Sequence, residues 1–230
     1  MSAPAGNARD PARTNVLVWD VPVRIVHWAL VALVAFSWWS AENGELAWHR
    51  YSGYALLGLV TFRLYWGFAG SSTARFRSFV RGPRAILAHL RTARIRAPSP
   101  PGHNPLGALS VLALLLLLVT QIGLGLFAVD VDGIESGPLS HLVSFAAGRA
   151  CAELHEDLFD VLFVFICLHV VAVLLHVFYK RDNLIAAMLH GRRDAASVAD
   201  FVPPRVSLGA LAIGVALAGA IVWIVTGGVL

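Results

Sequence analysis

Cysteine is scarce in this sequence: Cys151 and Cys167 are the two that occur in 230 residues. They stand sixteen residues apart on one expected helix, too far for a mutual disulfide, and no Cys-x-x-Cys-His run is present to attach a haem covalently. Charge is scarce as well. With 14% of residues charged against 57% hydrophobic, and a mean hydropathy of +0.69, an ordinary water-soluble domain is excluded. Acidic residues are missing altogether from Leu46 to Val129. The first twenty residues lack the apolar core of a cleavable signal peptide, so the first hydrophobic run is expected to act as its own insertion signal.

What is present is a set of long apolar runs. Crossing a hydrocarbon core takes roughly 20 residues at about 1.5 Å rise each, and five runs meet that length: Val23 to Ser40, Tyr51 to Phe68, Leu106 to Val129, Leu154 to Tyr179 and Leu208 to Val229. The expected fold is an all-α integral membrane helical bundle whose fifth transmembrane helix is C-terminal. Basic loops stay on the cytoplasmic side. Arg75, Arg77, Arg81, Arg84, Arg91, Arg94 and Arg96 separate runs two and three, and Lys180, Arg181, Arg192 and Arg193 follow run four. The opposite loops carry Glu42, Glu45, Asp130, Asp132 and Glu135. The expected map is therefore a cytoplasmic tail over 1–15, a core over 16–193 with a cytoplasmic loop 70–105 and a periplasmic loop 130–153, a linker over 194–207, and the last helix over 208–230, all in a bacterial inner membrane. The basic pI of about 9.6 fits anionic lipid head groups beside these arginines. No recognition motif accompanies the charge, so nucleic acid is not an expected partner.

Four histidines fall within or at the ends of the runs: His27, His49, His155 and His169. On the fourth run His155 and His169 are fourteen residues apart, about 21 Å along a helix and within roughly 40° of one face. One helix thus offers two imidazoles at two depths. That separation suits two stacked cofactors and is too long for a single metal ion. Given the orientation set by the arginines, depth pairs His49 with His155 at the outer level and His27 with His169 at the inner, the inner match being the looser. A low-spin haem iron takes two axial nitrogens, which opposing helices deliver to a flat macrocycle, and two such sites form an electron path. An ionisable residue inside a span is costly enough to be a functional candidate by default. The alternative for interfacial His49 and His155 is contact with lipid head groups. His169, set between Phe163-Val164-Phe165-Ile166-Cys167-Leu168 and Val170-Val171, fits that alternative poorly.

Arg63, fourteen residues after His49, shares its face at the inner level, and Arg24 stands one turn before His27. Each is a candidate partner for a haem propionate, the alternative being an arginine snorkelling to the interface. His176 faces the same way as His169 nearer the inner surface; it is a candidate wall of a quinone pocket or an alternative ligand, set against head-group contact beside Tyr179, Lys180 and Arg181. His89, His103, His141 and His190 are expected on solvated surface. Gly53, Gly58, Gly123 and Gly125 remove bulk where a macrocycle or a neighbouring helix must come close.

The runs Trp19-Asp20-Val21-Pro22-Val23-Arg24-Ile25-Val26-His27-Trp28, Trp48-His49-Arg50-Tyr51-Ser52-Gly53, Leu154-His155-Glu156 and Leu168-His169 resemble the prokaryotic cytochrome b561 family, which includes the b-type cytochrome subunits of nickel-iron hydrogenases. The tail Phe178-Tyr179-Lys180-Arg181-Asp182-Asn183-Leu184 and the stretch Gly102-His103-Asn104-Pro105-Leu106-Gly107 are similar to it too, so the resemblance covers about residues 16 to 193. It implies a four-helix core with two b haems, His27, His49, His155 and His169 as axial ligands, and exchange of electrons with quinone. The run Leu208 to Val229 lies outside that core and holds no His, Asp, Glu, Lys or Arg; a packing or partner-binding helix is the simplest account.

The expected function is electron transfer between a periplasmic redox partner, such as a c-type cytochrome or a hydrogenase or dehydrogenase subunit, and the membrane quinone pool. Glu153, Glu156, Asp157 and Asp160 around the outer level would steer a basic partner. A free-standing superoxide:quinone oxidoreductase is the alternative, disfavoured because an anion calls for a basic funnel and these outer loops are acidic. A non-redox transporter or scaffold is the third reading. A homodimer is compatible with the sequence.

Overall fold

The computed structural model describes residues 14–80, 82, 84, 105–195 and 201–227. Arg81, Arg91, Arg94, Arg96, His89, His103 and the first thirteen residues lie outside the described residues. The described residues begin with strand β1 (Thr14–Leu17), followed by helices α1 (Val21–Glu42), α2 (Leu46–Ala69) and the single turn α3 (Phe76–Phe79). Helix α4 (Pro105–Phe127), a 3-10 turn (Ser140–Leu142), helix α5 (Phe145–Phe178), helix α6 (Leu184–His190), strand β2 (Arg192–Ala195) and helix α7 (Leu208–Val225) complete them. The ends of the bundle are called outer (residues 43–45 and 130–144) and inner (residues 70–80 and 179–193), after the expected orientation.

Helix starts follow from capping chemistry. The Asp20 carboxylate accepts the N–H of Val23 at 2.7 Å, with Pro22 in the first turn, which satisfies a donor that the helix itself leaves open. Ser144, Asn183 and Ser207 cap α5, α6 and α7 in the same way. The Ser144 cap places the start of α5 nine residues before the expected Leu154, giving a helix of 34 residues, about 51 Å long. That length exceeds the hydrocarbon core and carries the first turns of α5 beyond it.

Among the described residues, four helices, α1, α4, α5 and α7, are long and apolar enough to cross a membrane. Helix α2, the second expected span, is also long at 24 residues but is less apolar, because it holds His49, Arg50, Ser52 and Arg63. It packs against α1, α4 and α7, so its polar groups face protein. The opposite holds for α5, where only 6% of the most apolar window is buried within the chain. Exposed Val164, Leu168, Val171 and Leu175 form a surface that only a hydrocarbon solvent or a partner helix accommodates.

Two buried clusters hold the bundle together. One lies at the inner end and joins Val18, Trp19, Val23, Val26, Phe62, Trp66, Ala74 and Ala187. The other, deeper, joins Leu56, Val60, Leu118, Ile122 and Leu162. Strands β1 and β2 pair antiparallel, Thr14 with Ala195 and Leu17 with Arg192, which draws the ends of the expected tail and linker into a ribbon beneath the inner cluster. Helix α7 lies along α2. A Cβ on Gly58 would stand 3.3 Å from Val222, and one on Gly214 would stand 2.8 Å from the Tyr65 ring. The fifth helix therefore has a packing role on α2, and Gly58 serves that contact.

Asp20 also ties two helices together, since its second oxygen accepts Trp66 Nε1–H at 2.9 Å in a fully buried setting. Asp20→Ala is expected to destabilise the fold by about 2–4 kcal/mol, combining a lost cap with an unpaired buried donor. Thermal melts of detergent-purified protein check this, with Asp20→Asn melting in between; a variant melting with the wild type would return Asp20 to a surface role.

Candidate functional site

The bundle brings the four histidines together in two pairs. At the outer level His49 of α2 and His155 of α5 stand with ring centres 5.9 Å apart and planes crossed at 87°. At the inner level His27 of α1 and His169 of α5 stand 6.5 Å apart with planes at 64°. Two imidazoles on one metal ion, each with a metal–nitrogen bond of about 2.0 Å and a ring centre about 1 Å behind the nitrogen, place their centres roughly 6 Å apart. Both pairs fit. The inner pair, the looser match in depth, is brought together as well.

Hydrogen bonds aim the outer rings. His155 Nδ1 lies 2.8 Å from the carbonyl oxygen of Gln121 and His49 Nδ1 lies 2.9 Å from that of Ser37. A carbonyl can only accept, so each Nδ1 carries the proton and donates it, leaving the lone pair on Nε2 for a metal. Gln121 reinforces the arrangement by donating Nε2–H to the His155 carbonyl at 2.8 Å, locking α4 to α5 at that level. The inner pair is held more lightly. His169 Nδ1 stands 3.5 Å from Ser110 Oγ, and His27 meets the edge of Trp28 at 5.2 Å.

Each histidine pair joins two helices that are not closely packed on one another. Helix α1 packs on α2, α4 on α5, and α2 touches α4. Helices α1 and α5 meet instead through side chains, the inner histidines and the contacts of Trp38 with Phe159 and Phe163 at 6.0 and 5.5 Å. Gly53, one turn after His49, and Gly123 of α4 each border open space, with nothing within 4 Å of an added Cβ. Gly125 has a different duty: a Cβ there would stand 3.0 Å from Cε1 of His155, so the absent side chain admits the ring itself. Among the described residues there is no cluster of three or more metal-ligating side chains. A two-imidazole set fits an iron whose other positions are filled by a macrocycle.

The remaining expected residues fall as follows. Arg63 is 7% exposed, its guanidinium carbon lies 5.3 Å from the centre of the Phe76 ring, and its Nη1 has no hydrogen-bond partner among the described residues. An unpaired buried donor on a cation is what a bound carboxylate would satisfy. Arg24 donates through Nη2 to the Leu189 carbonyl, while its buried Nε has no partner among the described residues. His176 donates Nδ1–H to the Ala172 carbonyl at 2.9 Å and lines a shallow cleft of about 380 Å³ with Ala172, Leu175, Tyr179 and Lys180. His141 and His190 are exposed, as expected.

At the outer end the chain over 128–139 folds into a hairpin, with Val129 bridged to Ser136 and the N–H of Gly137 on the Ala128 carbonyl at 2.8 Å. An ion pair between Arg50 and Glu135 fastens this hairpin to the residue after His49. Glu153, Glu156, Asp157 and Asp160 are exposed along one side of α5, spaced as one helical face. Sequence reasoning missed Ser37, Ser110 and Gln121, which orient the rings. Gln121 had a signal, being a polar residue inside a long apolar run; the two serines had none.

The model of the prokaryotic cytochrome b561 family matches residues 18–191 of the chain. A curated relative, the probable Ni/Fe-hydrogenase B-type cytochrome subunit of Rhodobacter capsulatus, is 23% identical over 215 residues, spanning 79% of this chain and 82% of that protein. No solved structure matches.

Proposed function

The chain belongs to the prokaryotic cytochrome b561 family, a membrane-bound b-type cytochrome of electron transfer, and from that premise we propose a dihaem protein linking a periplasmic redox partner to the membrane quinone pool. The observation that carries this reading is the pairing of His49 with His155 and of His27 with His169 at two levels of one bundle. Haem b bound at each level supplies a one-electron iron couple. The chain's own residues do the rest. Ser37 and Gln121 hold the outer imidazoles in the ligating tautomer, Arg63 and Arg24 offset propionate charge, and apolar side chains exclude water from the path.

The two levels are about 21 Å apart along α5, which divides the bilayer between them. At the outer level the exposed acidic row of α5 suits a basic docking face, such as that of a c-type cytochrome or a hydrogenase-like subunit. The named hydrogenase partnership of the Rhodobacter capsulatus protein favours this class. At the inner level the cleft beside His176 suits a quinone head group, with the His176 ring as its polar contact. The N-terminus lies in the cytoplasm and the membrane is the bacterial inner membrane, on the strength of the basic inner segments.

A short-chain quinone added to dithionite-reduced protein tests the assignment. Oxidation of both haems, followed by stopped-flow absorbance, is the expected result, slowed at least about tenfold in His176→Ala if its ring contact is worth about 1.4 kcal/mol. Haems that stay reduced would remove quinone from the account.

A further inference from the structure

Five buried polar atoms at the inner end of α1 and α2 have no hydrogen-bond partner among the described residues: Nε of Arg24, Nη1 of Arg63, Oγ of Ser71, Oγ1 of Thr73 and Nε of Arg75. All five can donate, and the three arginine nitrogens can do nothing else. Buried polar groups are ordinarily paired, so a concentration of unpaired donors at one end of a bundle points to a missing acceptor.

Four of the five lie on one continuous stretch of chain. Helix α2 ends at Ala69, and the turn after it is closed by the N–H groups of Ala74 and Arg75, which donate to the Ser71 carbonyl at 3.1 and 3.2 Å. This turn leads Phe76 back beneath Arg63, into space that Gly67 leaves free, since a Cβ on Gly67 would collide with the Phe76 ring. Arg63 and Arg75 are thereby held at the same end of α2. The anion of this region, Asp20, already accepts from Val23 N–H and Trp66 Nε1–H. Three guanidinium groups set against one engaged carboxylate leave this end of the bundle positive and rich in donors.

We infer that Ser71, Thr73 and Arg75 complete, with Arg63, a cradle for a carboxylate, and that its occupant is a propionate of the haem at the His27–His169 level. The inference rests on the dihaem reading. Burial selects a haem carboxylate over a lipid phosphate, because Ser71 is 1% and Arg63 7% exposed. Position selects the inner level, because Val26 and Phe62, the sequence neighbours of His27 and Arg63, share one buried cluster with Ala74 of the turn.

The test uses holoprotein in a phosphate-free maltoside detergent, with redox titration of the haem absorbance. Ser71→Ala/Thr73→Val and, separately, Arg75→Lys remove donors without removing charge, so a shift cannot come from a lost cation alone. The expected result is two haems per chain, an inner midpoint moved to more negative potential because the propionate charge is less offset, and an outer midpoint unmoved. The inner haem is identified as the one missing from His169→Ala. Should the double variant fail to fold, Arg75→Lys carries the test by itself. Unmoved midpoints, equal shifts of both haems, or a shift seen only in phosphatidylglycerol vesicles would overturn the cradle while leaving the dihaem reading intact. Wild-type protein without haem would overturn both.

Discussion

Replacing His169 by alanine is expected to lower the haem content from close to two to close to one per chain, with the outer haem retained. His155→Ala is expected to do the reverse. Each substitution removes one imidazole of a pair whose partner ring lies 6.5 Å or 5.9 Å away. No cluster of three or more ligating side chains stands among the described residues, so no such cluster supplies a replacement for the lost ligand. Because the levels are served by different helices on one side, α1 for the inner and α2 for the outer, each loss stays local. Electron transfer from a periplasmic donor to quinone should fall to background in both variants, since either level alone reaches only part of the way through the bilayer. Spectra with one haem lost from either variant and the other level unchanged establish the pairing; both haems persisting in either variant would refute it.

The second large effect is expected at a residue that carries no chemistry. Gly125→Val places a branched side chain where a Cβ alone would stand 3.0 Å from Cε1 and 3.2 Å from Nδ1 of His155. The ring must swing away, breaking its 2.8 Å hydrogen bond to the Gln121 carbonyl and losing the direction of Nε2. Overpacking of this kind costs about 1–3 kcal/mol in structure alone, and a misaimed ligand adds to it. The outer haem should be lost and the inner kept, with Gly125→Ala giving partial occupancy. Gly219→Ala on α7, where an added Cβ meets nothing within 4 Å, should keep both haems. A Gly125→Val protein with full outer haem would show that the ring has room to spare.

Much of the site was legible in the sequence because the bilayer imposes regularity on it. The fourteen-residue spacing of His155 and His169 fixes their relative face on any helix, and the asymmetry of arginine gives the spans an expected orientation; together these select the two pairs that the bundle brings into contact. Helix propensity and apolarity placed all five long helices within a few residues at most ends. The start of α5 was not legible, because Glu153, Glu156 and Asp157 break the apolar run while the helix continues through them from its Ser144 cap. Nor was the sheltered position of α2, whose polar residues read as weakness in a span until α1, α4 and α7 are seen around it. The separate duties of the glycines were equally hidden. Gly53, Gly58, Gly123 and Gly125 look alike in sequence, and only packing distinguishes open space from the contact with Val222 or with His155. The turn at Ser71 to Arg75 gave no signal beyond its basic charge, since unpaired donors are a property of three-dimensional surroundings.

The central claim is that this bundle holds two b haems on paired histidines, and a pyridine-haemochrome assay with reduced-minus-oxidised spectra on detergent-purified protein tests it most directly. The account predicts close to two b haems per chain with split redox titration; protein that folds and purifies without a Soret band would contradict it.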